Sequence, residues 1–497
     1  MRLSFDRLWV VVALGLPALL SLVVALPAVD LAYQVRAGNE IVSSAALPGV
    51  DTWTFTIDGA AWLDQQWLAQ VVLALLHSAG GWELLAVVRA SLVVAAIGLL
   101  LAAIVELGAP VRIAAVLSLV AFLLAAPALA LRPQLFGIVI FTALLWLVAS
   151  RHRRPVLYLL APVLVALWAN VHGSFALAPL VLGYALADDV VAGGPWRRSM
   201  VVLLAGTAAT LVNPYGLEAW TYAYSIGIDP TIRSAVSEWQ RTSPLTVPGA
   251  LFYASVLAAA GFLFLQRGRR GVVRISDWLW LVGWTAIGAW AERGLAWWPF
   301  AAAFIVGNVV GRVRLAARTG PADDDIAASR RPRPNTLNGA AALLLGLLIV
   351  GALPWWRPVD PLTGRVGLLS YAPSSLAQAM RLAAAPGVRV YAEQTWASWL
   401  EWAVPDARYF LDSRFELFPA SVFTAYGTIG QGGDAALAEL GALGVGIVVV
   451  PTDEPLAATL EGAGWTMLLE DEEGVVFAAG AVEAAGLSPL RVRRRAG

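Results

Sequence analysis

About eleven apolar runs recur along this chain, near 8–27, 82–105, 111–131, 135–150, 155–170, 174–192, 199–213, 249–266, 276–291, 295–313 and 337–356. An α-helix rises about 1.5 Å per residue, so roughly 20 apolar residues cross the hydrocarbon of a bilayer. A soluble fold of 497 residues has no interior large enough for a chain that is 59% hydrophobic and 14% charged. The expected class is a polytopic α-helical membrane protein with about eleven transmembrane helices. The run at 8–27 follows Arg2 and Arg7 and ends near the small-residue sequence ALPA, as a signal peptide does; the many spans behind it favour an uncleaved first span.

Apart from three histidines every basic side chain is an arginine, and where the arginines fall sets the orientation. Clusters at 151–154, 197–198, 267–274 and 312–333 all lie in loops on one side of an eleven-span chain, which places that side and the N-terminus in the cytoplasm. The opposite loops are poor in arginine and collect the unusual polar residues: Asp30, Asp51, Asp64, Gln65, Gln66, Arg132, Gln134, Asn170, His172, Asn213, Glu238, Arg241, Glu292 and Arg293. Polar groups gathered at one set of helix ends suit a site at the outer membrane face. A net charge of zero argues against nucleic acid, and the absence of cysteine excludes disulfides, thiolate metal sites and a cysteine nucleophile.

Residues 1–357 form the membrane domain in this reading, with 28–67 as its first external loop and 314–336, rich in Arg, Pro and Asp, as a cytoplasmic linker. Beyond it, helical stretches at 374–385, 434–443 and 455–463 alternate with β-rich runs at 388–393, 407–414, 445–451 and 465–479. That alternation predicts an α/β domain over 360–485, extracytoplasmic by the odd span count, followed by a basic tail at 486–497.

Each candidate side chain carries a functional and a structural reading. Asp30, a few residues after the first span, is placed as a general base or as the N-cap of a helix over 31–43. Arg36 either contacts phosphate or pairs with Glu40 one turn on. Asp64, Gln65 and Gln66 between Trp62 and Trp67 fit sugar recognition or an interfacial amphipathic helix. Arg132 and Gln134 flank Pro133, and an arginine there either grips a lipid-linked phosphate or snorkels to the interface. His172 beside Asn170 is read as an acid, a ligand or a buried structural histidine. Glu238 and Arg241 complete an acceptor or metal site or form a surface ion pair. Glu292 and Arg293 interrupt an apolar hairpin and should face a protein interior or wet cavity. Asp51 reads as a turn residue. No P-loop, dinucleotide fingerprint, GxSxG or HExxH is present.

The stretches VDLAYQVRAGNEIV, LPGVDTWTFTIDG and WLDQQWLAQVVLALLHSAGG resemble the first external loop of GT-C superfamily glycosyltransferases. Further motifs, LRPQLF at 131–136, LWANVHGSF at 167–175, NPYG at 213–216, EW at 238–239 and FLDSRFE at 410–416, resemble a bacterial branch of GT-C-like membrane proteins. The resemblance implies a GT-C-like membrane enzyme that transfers a sugar from a polyprenyl-phosphate donor to a glycan, lipid or protein acceptor, with inversion. It makes Asp30 the loop carboxylate, base or metal-binding acid, and Asp64 the second candidate. Beside these two, the polar residues read above, Arg36, Gln65, Gln66, Trp67, Arg132, Gln134, Asn170, His172, Glu238, Arg241, Glu292 and Arg293, are the candidates for substrate binding; the cofactor is open, with a divalent cation compatible. Asp412 and Arg414 match the tail motif, in a structural or acceptor-binding role. Asp30 is followed by Leu31 where the protein mannosyltransferase branch has an Asp-Glu pair, and the WWD motif of oligosaccharyltransferases is missing, so neither of those two acceptor chemistries is implied. Two rivals stand beside the enzyme: a lipid or polysaccharide transporter, and a non-catalytic scaffold of cell-envelope assembly.

Overall fold

The computed structural model describes residues 2–318, 334–360 and 364–480. The expected linker, for the most part, and the expected basic tail lie outside them. Every apolar run predicted from sequence falls on helix: α1 (Phe5–Val23), α2 (Ala28–Ser44), α3 (Trp67–Glu106), α4 (Val111–Ala125), α5 (Pro133–Ser150), α6 (Ala161–Val171), α7 (Ala178–Ala192), α8 (Trp196–Ala209), α9 (Val247–Gln266), α10 (Ile275–Trp290), α11 (Trp298–Arg318) and α12 (Thr336–Gly351) carry them, with α2 as a further helix in the first loop. By length and composition seven of the described helices can cross a membrane, and 155–171 and 336–351 are shorter apolar helices. The chain is a multi-pass membrane protein.

The described chain divides into two compact units. One holds 1–24, 83–228 and 236–356. Its helices approach closely where glycine allows it: a Cβ on Gly311 would lie 2.1 Å from the Leu107 carbonyl oxygen, and one on Gly206 would lie 2.4 Å from Leu182. Close backbone approach is how helices associate without a hydrophobic driving force between them. Aromatic rings fill the middle, with Phe141 packed on Trp168, Trp284 and Trp297, while Val201, Leu204, Leu257, Leu265, Leu343 and Leu347 point outward, largely exposed. One buried charge cluster is fully paired: Arg151 binds Asp188 and Asp189, and Arg274 and Ser276 also donate to Asp188.

The other unit joins 25–82 and 229–235 to the segment from Arg357 onward. Its α/β part follows the predicted pattern, with strands β1 (Arg389–Ala392), β2 (Arg408–Tyr409), β3 (Ile447–Val450), β4 (Thr466–Glu470) and β5 (Val475–Ala478) in the order β2-β1-β3-β5-β4. β1 runs parallel to β2 and β3, and β5 is antiparallel to β3 and β4. The apolar runs IVVV and VVFA are buried at every position, as central strands covered on both faces must be. Helices at Ser374–Ala383, Gly433–Ala442 and Pro455–Gly462 match the expected ones, and two more, α13 (Gln394–Ala403) and α14 (Ala420–Gly430), were not foreseen.

The first loop is built into this unit. Leu26–Pro27 pairs in parallel with Leu369–Ser370, Thr54 bridges to Tyr409 at the edge of β2, Thr56 donates to the Phe410 carbonyl at 2.6 Å, and α2 packs along α13. Helix α3 breaks at Gly80-Gly81; Gly81 has φ 62° and ψ −163°, a conformation that only glycine adopts easily. There the chain leaves this unit and enters the other.

Candidate functional site

In the first-loop unit, the sequence expectation of Asp30 as an N-cap is corrected. The strand pair ends at Pro27, whose fixed φ (−68°) starts the helix immediately, so α2 begins at Ala28 and Asp30 lies inside its first turn. A carboxylate there faces the positive end of the helix dipole, and Asp30 is half-buried. One turn on, Gln34 is buried and its Nε2 donates to Tyr33 Oη at 2.5 Å and to Gln66 Oε1 at 3.3 Å. Gly38, a further turn along, presses directly on α3, where a Cβ would meet the Gln70 carbonyl oxygen at 2.1 Å. These contacts set α2 against the start of α3 in one polar seam. Within it Gln70 Nε2 donates to Asp64 Oδ1 at 2.8 Å. Burial raises the Asp64 carboxyl from 3.8 to about 7, against the opposing hydrogen bonds from Gln70 and the Gln66 backbone. Burial, then the charges of Asp30, Glu416, Asp412 and Asp64, drive the Tyr33 hydroxyl well above its usual value.

Of the two tryptophans that bracket Asp64, Gln65 and Gln66, Trp62 has its ring against Trp53. Trp53 and Trp62 meet edge to face at 5.0 Å, and the Arg414 guanidinium lies 4.2 Å from the first ring and 4.3 Å from the second. Arg36 covers Trp53 at 4.3 Å. Arg414 binds Asp51 at 2.5 Å and Asp412 at 2.5 Å, all three side chains being fully buried. Asp51 is a turn residue too, accepting from the backbone of Trp53 and Thr54. Beside them Glu401 is wholly buried, and burial followed by the charge of Asp412 pushes its carboxyl well above the usual range. Arg36 forms the predicted pair with Glu40 at 3.1 Å and gives its other nitrogens to the Glu401 and Pro405 carbonyls. Gln65 is buried, and Trp67 opens α3.

In the helical unit, three more candidates converge. Arg132 sits at the N-cap position of α5, with Pro133 at the first helical position, where its missing N–H costs nothing. Glu238 lies in the 3₁₀ turn Ser237–Trp239, and Arg293 lies in the turn Glu292–Ala296, which closes tightly because Gly294 sits against the Ile287 carbonyl; a Cβ there would be 2.4 Å away. The two turns are joined by the Glu292 N–H donating to the Gln240 carbonyl at 3.0 Å. Glu238 then accepts from Arg132 at 3.1 Å and Arg293 at 3.4 Å. Burial raises the Glu238 carboxyl, but Arg293 and Arg132 outweigh it and hold it below the usual range, so it is ionised. Two cations on one anion leave a local excess of positive charge. His172 is buried nearby, and burial, then Arg293 and Arg132, push its imidazole well below the usual value.

Gln134 is buried in the first turn of α5, and its Oε1 has no partner among the described residues. Asn170 ties helix ends together by donating to the Ala166 and Val212 carbonyls. Arg241 is exposed, and Glu292 is half-buried. Among the described residues no group of three or more acids or histidines is placed to hold a metal ion. Sequence reasoning missed Tyr33, Gln70 and Glu401. It quoted Ser174 only as a letter of a motif, and named Arg414 with Asp412 for a structural or acceptor-binding role.

By sequence, no family model and no curated protein matches the chain. Among solved structures it is similar to the archaeal oligosaccharyltransferase AglB from Archaeoglobus fulgidus, in complex with an inhibitory peptide and a dolichol-phosphate, with 13% identity, 90% of this chain and 70% of that chain covered, and a TM-score of 0.55. The apo form of the Archaeoglobus fulgidus oligosaccharyltransferase gives 12% identity over the same shares, with a TM-score of 0.56. ArnT from Cupriavidus metallidurans in the apo state gives 16% identity, 97% and 99% coverage and a TM-score of 0.52. At such identities the likeness is one of fold: the chain shares the fold of these solved structures, in keeping with what its first-loop motifs led us to expect.

Proposed function

We propose that this chain is an integral-membrane glycosyltransferase that takes a sugar from a polyprenyl-phosphate donor and passes it to an extracytoplasmic acceptor, a hydroxyl of a glycan, lipid or protein. The observation that carries the reading is the pair Arg132 and Arg293 gathered on Glu238, in a fold shared with a protein solved with a dolichol-phosphate. Guanidinium groups suit phosphoryl oxygens because their N–H donors match the spacing of two acceptors. Glu238 keeps the two like charges together before substrate arrives. Preorganised charge of this kind stabilises the negative charge that grows on a leaving phosphate.

Asp30 is assigned the acceptor proton. As it takes that proton, the acceptor oxygen attacks the anomeric carbon, the bond from that carbon to the phosphate oxygen breaks, and the electron pair leaves with the lipid phosphate, giving inversion. Asp64 is the second candidate, its burial bringing the carboxyl close to neutral pH. Both roles are argued from each residue's own surroundings. The arginine clusters support a cytoplasmic N-terminus and an extracytoplasmic C-terminal domain.

The test is binding and transfer with purified protein in lipid nanodiscs and a panel of polyprenyl-phosphate sugars. A hydrogen bond to a charged group contributes about 1.5–3 kcal/mol, so Arg132→Gln and Arg293→Gln should each weaken polyprenyl-phosphate binding by roughly 10- to 100-fold. Equal affinity in wild type and both variants would remove the phosphoryl site from this place.

A further inference from the structure

We infer that His172 is a third phosphoryl-binding residue, presenting its Nε2–H as a donor beside Arg132 and Arg293, and that Trp168 and Ser174 exist to fix that tautomer. The inference rests on the lipid-phosphate reading above. The backbone N–H of Ser174 donates to His172 Nδ1 at 3.1 Å, so Nδ1 carries a lone pair and no proton. A second contact agrees in direction: Trp168 Nε1 donates to Ser174 Oγ at 3.0 Å, and Ser174 Oγ lies 2.7 Å from the same Nδ1. Indole N–H can only donate, which leaves the serine hydroxyl hydrogen for the imidazole. With Nδ1 occupied as an acceptor, the ring's one remaining proton is on Nε2.

The relay is held rigidly. At Gly137, one turn into α5, a Cβ would lie 2.9 Å from Trp168 Nε1 and 3.2 Å from Ser174 Oγ, so the helix that begins at Arg132 backs directly onto the donors. Among the described residues none accepts from Nε2, while both Arg293 and Arg132 act electrostatically on the ring. A histidine serving only the fold would have no use for a donor left unmet within electrostatic reach of two cations. An incoming anion has one, because an uncharged N–H adds a hydrogen bond without adding to the repulsion between the arginines. The ligand chemistry named is therefore a phosphoryl oxygen held by two guanidinium groups and one imidazole N–H.

Amide substitutions separate the two nitrogens. In His172→Gln the side-chain amide reaches the position of Nε2, and in His172→Asn that of Nδ1. Binding of polyprenyl phosphate to purified full-length protein should stay within about threefold of wild type in His172→Gln and fall roughly tenfold or more in His172→Asn and His172→Ala. The reverse order, or wild-type affinity in His172→Asn and His172→Ala, overturns the inference and leaves the arginine site intact. Wild-type protein that binds no polyprenyl phosphate overturns both. Because a variant can misfold, the wild type is also examined by NMR with ¹⁵N-labelled histidine: the Nε2 resonance of His172 should shift on adding polyprenyl phosphate, with Nδ1 remaining unprotonated. An unmoved Nε2 signal in protein that has bound the lipid overturns the inference.

Discussion

Replacing Arg414 by methionine should destabilise the unit formed by the first loop and the C-terminal segment more than any other single substitution there. Arg414 is 1% exposed, and its partners Asp51 and Asp412 are both 0% exposed. Methionine keeps the apolar contact with Trp53 and Trp62 but leaves two buried carboxylates facing each other without a cation. Removing one partner of a buried ion pair costs about 3–5 kcal/mol, and the lost stacking of a desolvated guanidinium on two indoles adds about 1–2 kcal/mol. For a unit of this size each kcal/mol moves the midpoint by roughly 2–4 °C, so the expected fall in Tm is on the order of 8 to 28 °C. Thermal scans of purified protein in detergent, followed by tryptophan fluorescence at one fixed scan rate, read this directly, since Trp53 and Trp62 lie at the lesion. Adding Asp51→Asn to Arg414→Met removes one of the stranded charges and should recover part of the loss. A drop below about 3 °C in the single variant, or a double variant no better than the single, would refute the view that these charges hold the loop to the domain.

Asp64→Asn tests the buried carboxyl of the polar seam. Its pKa is raised in the folded chain to about 7, so the folded state retains a proton that the unfolded chain gives up near 3.8. Stability is thus fully present below about 4 and is lost as pH rises toward 7; the variant should show a flatter dependence between pH 4 and 8, and an unchanged slope would contradict this. Gly38→Ala should cost about 1–3 kcal/mol in thermal unfolding, because its Cβ would meet a backbone oxygen at 2.1 Å that has no freedom to give way; wild-type stability would deny the close packing of α2 on α3. Asp30→Asn should lower sugar transfer by a factor of roughly 100 or more while leaving Tm within a few degrees, and equal transfer would remove its role as base.

The helices were legible because the apolar runs have a period and a length that only one solvent explains, and the C-terminal strands because β-branched runs such as VVV at 448–450 alternate with helical stretches. The partnership of the first loop with the C-terminal segment was not legible. Arg414 and Asp51 are 363 residues apart, and no local pattern announces that FLDSR closes on LPGVDTW. Likewise Trp62 read in sequence as one flank of a sugar site, because composition cannot say that its ring already carries an arginine from elsewhere in the chain. Arg36 shows a partial success: its pairing with Glu40 follows from helical spacing, whereas its bonds to the Glu401 and Pro405 carbonyls depend on α13, a helix the sequence pattern did not reveal. The meeting of Arg132, Glu238 and Arg293 lay between these cases. All three were singled out as polar residues at helix ends, but only folding shows that one carboxylate gathers two arginines.

The most direct test of the central claim is a structure of the full chain in nanodiscs with polyprenyl phosphate bound. The account predicts density for one phosphoryl group in hydrogen-bond reach of Arg132 and Arg293, with Glu238 still between them. A phosphate bound elsewhere, with Arg132 and Arg293 untouched, would contradict it.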